Sequence, residues 1–349
     1  MVRVVLFGLG PIGTSIARLA AGRSDLEIVG AIDIDTRKVG KDLGEVLGLG
    51  RDVGVAVSDN PRNVLKSSHP DLVLHATGSH LEQVAPQIRH VVEAGAYLVS
   101  TCEELSFPFT SNPALSAELD HLAKQHGVAI LGTGINPGFA MDALPLSLTA
   151  VSQRVDSVRV LRIQDAAVRR LPLQRKVGAG LTVEEFDARV LAGTVRHVGL
   201  PESVYAIAAA IGWKVDSLDD DIEPVIAATE TKSSEIVVAP GQVLGVKQMT
   251  KGIVGGQPLI ELELQMYLGA PSPHDHVVIE GQPRVEVTVH EGTHGDLATA
   301  AIIVNAIGSI LRAEPGLKVM ADLPMVHYRR PEVGMPSRHG GRHRRELAF

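Results

Sequence analysis

The sequence predicts an α/β protein. It has a doubly wound parallel sheet at the N-terminus, an α+β domain after it, and a C-terminal helix that returns to the first sheet. Three observations predict this. Apolar, β-branched runs alternate with helical stretches as far as about Pro137, the rhythm of a parallel sheet with crossover helices. A helix expected at 140–151 then leaves this domain, and strands of period two dominate from Ser157 to His290. A long helix that is apolar on every side follows at Asp296–Leu311, which implies burial. The chain has 349 residues, more than one core usually holds, since single cores stop growing at roughly 250–300 residues. The expected division is 1–140, 141–292, a returning segment 293–330, and a Gly-, Pro-, His- and Arg-rich tail at 331–349, read as flexible.

Composition narrows the function. A net charge of −7 with 3% aromatic residues argues against nucleic acid, which calls for basic surface and stacking rings. No run of about 20 apolar residues exists to span a membrane. The apolar run after Met1 is too short for a signal peptide and glycines interrupt it. A single cysteine, Cys102, precludes an internal disulfide and fits a reducing, cytoplasmic setting.

The first strand, Val2–Phe7, runs into Gly8-Leu9-Gly10-Pro11-Ile12-Gly13 and then a helix. This G-x-G-x-x-G sits after a strand and before a helix, the setting a dinucleotide needs. Gly8 permits the tight turn, Gly10 leaves room for a pyrophosphate, and Gly13 lets helix and strand pack closely. The helix N-terminus offers N–H groups to the phosphates. The second strand ends in Asp33, placed to accept hydrogen bonds from an adenosine ribose. Arg37 and Lys38 follow, and either suits the 2′-phosphate of NADP, whereas Asp35 would repel it. The choice between NADP and NAD stays open.

Ligands of an open parallel sheet collect at the carboxyl ends of the strands. Thr77, Gly78, Ser79 and His80 follow one strand end, and Thr101 and Cys102 follow the next, so these are expected near the cofactor. Glu103 and Glu104 come directly after. A carboxylate beside an imine carbon stabilises a cationic iminium and moves protons as a carbinolamine forms or collapses. An alcohol–carbonyl reaction more often uses Tyr and Lys, and none of the four tyrosines shows Tyr-x-x-x-Lys spacing. One acid of the pair can equally serve as a helix N-terminal acid.

Some motifs are read as structural. His290-Glu291-Gly292-Thr293-His294 matches a zinc-binding H-E-x-x-H, but Gly292 and the strand before it preclude the single helix such a site needs. It reads as a strand-to-helix turn, with Thr293 or His294 as the cap, and no metal is expected. His274-Asp275-His276 reads as a polar hairpin turn, and Asp219-Asp220-Asp221 as a solvated loop.

The glycine loop, Ser100-Thr101-Cys102-Glu103-Glu104-Leu105, Asn136-Pro137-Gly138-Phe139 and Gly178-Ala179-Gly180-Leu181-Thr182 together resemble the 2,4-diaminopentanoate dehydrogenase family. That family includes the native NAD(P)-dependent amine dehydrogenases and shares the architecture of dihydrodipicolinate reductase. The resemblance covers about Val2 to Leu323. It implies a Rossmann domain and an NAD(P)H-dependent amine dehydrogenase, which aminates a ketone or aldehyde with ammonia and deaminates an amine in reverse. It implies Glu104 as the group that handles the amine, with Glu103 close behind. It implies that Asn136, Pro137 and Gly138 meet the nicotinamide ribose. Phe139, Met141 and the loop Val177, Gly178, Ala179 to Thr182 would shape the substrate pocket, in a homodimer that pairs the second-domain sheets. A diamino acid would need a fixed cation, and Arg169, Arg170, Arg175 and Lys176 are available. The apolar Phe139, Met141 and Leu144 suit a plain alkyl amine. The alternatives are 2,4-diaminopentanoate dehydrogenase proper, a dihydrodipicolinate reductase-like imine reductase, and a non-enzymatic NAD(P) sensor.

Overall fold

Val4, Val5, Leu6 and Phe7 are all buried, because helices cover both faces of their sheet. A computed structural model describes residues 1–330; the expected tail, 331–349, lies outside the described residues. The first half runs β1 (Val2–Phe7), α1 (Pro11–Ala21), β2 (Leu26–Ile32), α2 (Leu43–Leu47), β3 (Val57–Ser58), α3 (Pro61–Ser68), β4 (Leu72–His75), α4 (Leu81–Glu93), β5 (Tyr97–Ser100), α5 (Pro108–Ser111), α6 (Pro113–His126) and β6 (Ala129–Gly132). The six strands pair in parallel in the order β3-β2-β1-β4-β5-β6.

The second half runs α7 (Ala143–Thr149), β7 (Arg154–Asp165), α8 (Leu171–Lys176), α9 (Val183–Leu191), α10 (Leu200–Ile211), β8 (Ser217–Ile226), a short ribbon of β9 (Thr231–Lys232) and β10 (Val237–Val238), then β11 (Val243–Val254), β12 (Gln257–Tyr267), β13 (His274–Gln282) and β14 (Val285–His290). Six of these strands form a mixed sheet, β14-β13-β7-β12-β11-β8, parallel only between β7 and β12. The chain then returns. α11 (Gly295–Ile310) packs between α1 and strands β4 to β6, which explains its apolar circumference. β15 (Gly316–Lys318) pairs in parallel with β6 and becomes the seventh strand of the first sheet.

Three sequence expectations need correction. The acidic run Asp219–Asp221 is not a loop; it lies in edge strand β8. Asp219 and Asp221 face water, and Asp220 turns inward, where Gln248, Thr250 and Arg196 donate to it. Three like charges hid the alternation. His274-Asp275-His276 is not a hairpin turn but the start of β13, and Asp275 is fully buried against Arg162. The helix expected at 140–151 starts only at Ala143, where Asp142 accepts from the Ala143 N–H, because Gly138 to Met141 form the preceding turn.

The Arg162–Asp275 pair matters for the crossover. Arg162 also donates to the Thr293 carbonyl at 2.7 Å, and Asp275 accepts from the Thr293 N–H at 2.8 Å. Two strands of the second sheet thereby hold the segment that leads back to α11. In that segment Glu291 and Gly292 take left-handed backbone angles (φ 63° and 67°), and His294 Nδ1 accepts from Leu297 N at 3.4 Å as the helix cap. The two histidines of the H-E-x-x-H match therefore lie on a strand end and a helix cap, not on one helical face.

Candidate active site

Four parallel strands end in one row: Phe7 pairs with His75, His75 with Ser100, and Ser100 with Gly132. The loops that follow all open on the same sheet edge. The glycines there are fixed by contact. Gly8 has φ +93°, and a Cβ on it would lie 2.5 Å from the Ala76 carbonyl oxygen. A Cβ on Gly13 would lie 1.9 Å from the Gly8 carbonyl oxygen. A Cβ on Gly10 would meet nothing within 4 Å, so the space above the α1 N-terminus is open. No side chain among the described residues caps that helix, and Pro11 at its start has no N–H, so the Ile12 and Gly13 N–H groups are the ones left at its N-terminus.

A cleft of about 430 Å³ runs along this edge. Gly10, Pro11, Ile12, Thr77, Gly78 and Ser79 line it, followed by Thr101, Glu103, Asn136 and Pro137. The structure thus brings together residues that the sequence scatters over more than a hundred positions. Other expected cofactor residues lie outside the lining. Asp33 turns to the glycine loop: its carboxylate accepts from Leu9 N at 2.6 Å and Asp35 N at 2.8 Å. Lys38 donates to the Leu9 carbonyl at 3.0 Å and sits 3.4 Å from Asp33. Arg37 is 87% exposed and paired with Asp35, which removes the repulsion expected from that acid. Cys102 is buried, its thiol near the Ser79 carbonyl, and burial pushes its pKa up. Gly138 has φ +116° and donates to Asp142.

The two glutamates separate. Both oxygens of Glu104 are engaged: one accepts from Leu81 N at 2.7 Å at the start of α4, the other lies 2.7 Å from His80 Nδ1. Glu104 is the helix N-terminal acid, and His80 is its partner. Glu103 lines the cleft. Burial raises its pKa above the usual carboxylate range, opposed by the Lys176 charge and the Ser79 hydroxyl. Of the two, Glu103 is the one that lines the cleft, and Glu104 sits beside it at the start of α4.

The second domain supplies the opposite wall, and it is polar and cationic: Arg162, Arg169, Arg170, Lys176 and His197, with Asp296 among them. Arg169 pairs with Asp296 at 2.8 Å. His197 Nδ1 lies 2.8 Å from the Val198 carbonyl, so it carries the proton and leaves Nε2 as an acceptor; burial pulls its pKa down to about 3. Arg162 and His197 were not singled out from the sequence. Arg162 had a signal, an arginine at an inward position between Val158, Val160 and Gln164. His197 had none.

The residues expected to shape a substrate pocket lie elsewhere. Met141, Val177 and Ala179 are buried in the second core. Gly178 packs on Phe186, and Thr182 caps α9 in a capping box with Glu185. The loop 177–182 therefore closes the core behind α8, and α8 itself faces the cleft. Phe139 and Leu144 line a separate apolar cavity of about 870 Å³ between α7, α11 and residues 320–328, which shares only Ile135 with the cleft.

Comparison with known proteins agrees with this architecture. Residues 139–333 match the 2,4-diaminopentanoate dehydrogenase C-terminal domain, and residues 2–102 match the N-terminus of dihydrodipicolinate reductase. The 2,4-diaminopentanoate dehydrogenase of Acetoanaerobium sticklandii is 32% identical over 93% of this chain and 94% of its own. An amine dehydrogenase of Streptomyces virginiae is 26% identical over 96% and 98%. The structure of an amine dehydrogenase from Mycobacterium smegmatis superposes with a TM-score of 0.85 at 31% identity, covering 95% of this chain and 98% of that one. The chain belongs to the 2,4-diaminopentanoate dehydrogenase family. It is an NAD(P)-dependent oxidoreductase that acts on amine groups.

The cleft fits the dinucleotide that such an enzyme uses. Besides the open space over Gly10 and the uncapped α1, the Asn136 side-chain amide is buried with neither its oxygen nor its nitrogen partnered among the described residues. An amide left so inside a protein costs free energy unless a ligand completes it. Gly10→Val tests the fit. Its side chain enters open space, so the melting temperature should hold, while NADPH affinity measured by fluorescence titration should fall at least tenfold. Unchanged affinity would place the pyrophosphate elsewhere.

Proposed function

We propose that the enzyme deaminates, and in reverse forms, an amine that also carries a carboxylate remote from the reacting carbon. The cationic wall carries this reading. Lys176 faces the cleft with no ion-pair partner among the described residues, and the buried Nε of Arg170 beside it has no hydrogen-bond partner. A carboxylate supplies the counter-charge that Lys176 lacks and an acceptor for the Arg170 Nε, whose ion pair with Asp296 at 3.7 Å is too long for a hydrogen bond. A plain alkyl amine supplies neither. The Acetoanaerobium relative is named for such a compound, a pentanoate with amines at carbons 2 and 4.

In this reading Glu103 handles the protons. An ammonium must lose a proton before its carbon can release hydride, and water must lose one as it adds to the iminium. A carboxylate held above its ordinary pKa is a stronger base for both steps, and its negative charge steadies the iminium. The nicotinamide, when bound, accepts the hydride and returns it in the reductive direction. Either nicotinamide cofactor is compatible with Asp33, Arg37 and Lys38 as they stand.

The same reading takes the protein as a cytoplasmic homodimer. Leu161, Ile163, Met249 and Val278 are half-buried on the uncovered face of the second sheet, among Arg159, Lys247, Glu261 and Glu263. Such a face suits a second copy. Sedimentation showing only monomer at micromolar concentration would remove this part.

Glu103→Gln should lower kcat at least ~100-fold, the scale of one general acid–base group, with NADPH affinity retained. Glu104→Gln should stay within a few-fold of wild type in rate and lose about 1 kcal/mol of stability, the scale of a helix cap. The opposite outcome returns the role to Glu104. The acid limb of the deamination pH profile should lie above the ordinary carboxylate range, because Glu103 must be ionised to act as base and its pKa is raised. Lys176→Ala should raise KM for 2,4-diaminopentanoate roughly tenfold, about 1.4 kcal/mol, and leave KM for pentan-2-amine unchanged. Equal kcat/KM for the two amines in the wild-type enzyme would sink the carboxylate reading.

A further inference from the structure

Beneath the cleft lies a closed polar relay that no step so far uses. His75 is the last residue of β4 and is fully buried, as is Ser100, its register partner at the end of β5. His75 Nδ1 is 2.8 Å from Ser100 Oγ, and Ser100 Oγ accepts from Cys102 N at 3.1 Å. On the other side of the ring, Nε2 is 2.7 Å from Gln87 Oε1 of α4 and 2.8 Å from Thr77 Oγ1. Thr77 Oγ1 also donates to Gln87 Oε1 at 2.6 Å. Phe7 packs edge-on against the imidazole with ring centroids 5.4 Å apart, which fixes its plane.

One proton arrangement satisfies the relay. The Gln87 oxygen only accepts, so the Thr77 hydroxyl donates to it, and Nε2–H is shared between the Gln87 oxygen and the Thr77 oxygen. Nδ1 is then bare and accepts from the Ser100 hydroxyl, whose oxygen remains free for the Cys102 N–H. Burial, which pulls the His75 pKa down to about 4, keeps the ring neutral and this arrangement intact.

The two ends of the relay lead to different walls of the site. Thr77 lines the cleft beside the glycine loop, and Cys102 begins the turn that carries Glu103. Beyond the His75–Ser100 row the backbone joins the two loops at Thr101 N to the His75 carbonyl (3.0 Å) and at Glu104 N to the Ser79 carbonyl (3.2 Å); neither bond holds Thr77 or the Cys102 N–H, which the relay reaches. We infer that His75 is a positioning residue, which through Thr77 sets the loop facing the dinucleotide and through Ser100 sets the turn that presents Glu103. It touches neither substrate nor cofactor. The Glu103 arm rests on the catalytic reading given above; the Thr77 arm does not.

Two substitutions divide the arms. Asn places an acceptor where Nδ1 stands but falls short of Gln87 and Thr77. Gln reaches toward the Nε2 position and offers nothing at Nδ1. His75→Asn should weaken NADPH binding, read by fluorescence titration of the whole protein, about tenfold, with kcat held within about threefold. His75→Gln should keep NADPH affinity and lower kcat about tenfold, the scale of one buried hydrogen bond lost. Gln87→Leu and Ser100→Ala, which leave His75 in place and lie outside the cleft lining, should reproduce the two patterns in that order, so the test survives if either His75 variant fails to fold. A merely structural histidine predicts a lower melting temperature with kcat and affinity shifting together or not at all, and either result in both pairs overturns the inference. If Glu103→Gln retains full rate, the catalytic reading of Glu103 fails and the Glu103 arm fails with it, while the Thr77 arm stands on NADPH affinity alone. If Glu103→Gln loses its rate and Ser100→Ala does not, the Ser100 arm fails.

Discussion

The parallel register of β1, β4, β5 and β6 is the constraint on which the site depends. Because Phe7, His75, Ser100 and Gly132 stand in one row, four loops leave the sheet at one level and on one edge. A slip of one residue in any strand would exchange the side chains that pack on the two helix layers and carry its loop with it. Both layers of helices therefore enforce the geometry of the cleft as well as the fold. Close approaches sharpen it: a Cβ on Gly132 would sit 2.4 Å from the Leu105 backbone, so the turn carrying Glu103 rests directly on the end of β6.

The second domain is locked to that edge by a small number of contacts. Gly199, at the start of α10, lies so close to Pro137 and Glu103 that a Cβ there would come within 2.3 Å of the proline ring. Asp142 accepts from Gly138 N and from Ser203 of α10, tying the Asn136–Gly138 loop to the same helix. Behind His197, Gln248 accepts its backbone N–H, and Asp220 holds Gln248 in turn. The Arg162–Asp275 pair closes the far side. Buried ion pairs are weak evidence of stability, because desolvation offsets most of their attraction. Here the pair has a second use, since it presents a guanidinium to the cleft while fixing the crossover to α11.

Two carboxylates adjacent in sequence end in different environments through a short turn. The 3₁₀ turn after Cys102 points Glu103 toward the cleft and Glu104 toward the N-terminus of α4. No local preference of glutamate distinguishes them. The same holds for the basic stretch 169–176: Arg169 is neutralised by Asp296, which lies far along the chain, whereas Lys176 is not. Charge in the cleft is thus a property of pairing, visible only once distant segments meet.

The sequence by itself determined the α/β frame, the glycine loop, the order of the elements and the family, because these follow from periodicity and from backbone conformations that only certain residues adopt. Gly8 and Gly13 state their need in the residue type itself. It also determined that Glu103 and Glu104 stand at a strand end, since the run before them is a strand. Tertiary structure decided which of the two faces the cleft, that Asp33 latches the glycine loop, and that Asp219–Asp221 forms an edge strand. It also buried Met141, Val177 and Ala179 in the second core and brought Arg162 and His197 to the cleft beside Lys176. The physical reason is common to all of these. Side-chain pairing and burial are set by residues far apart in the chain, and a pattern of neighbours carries no record of them.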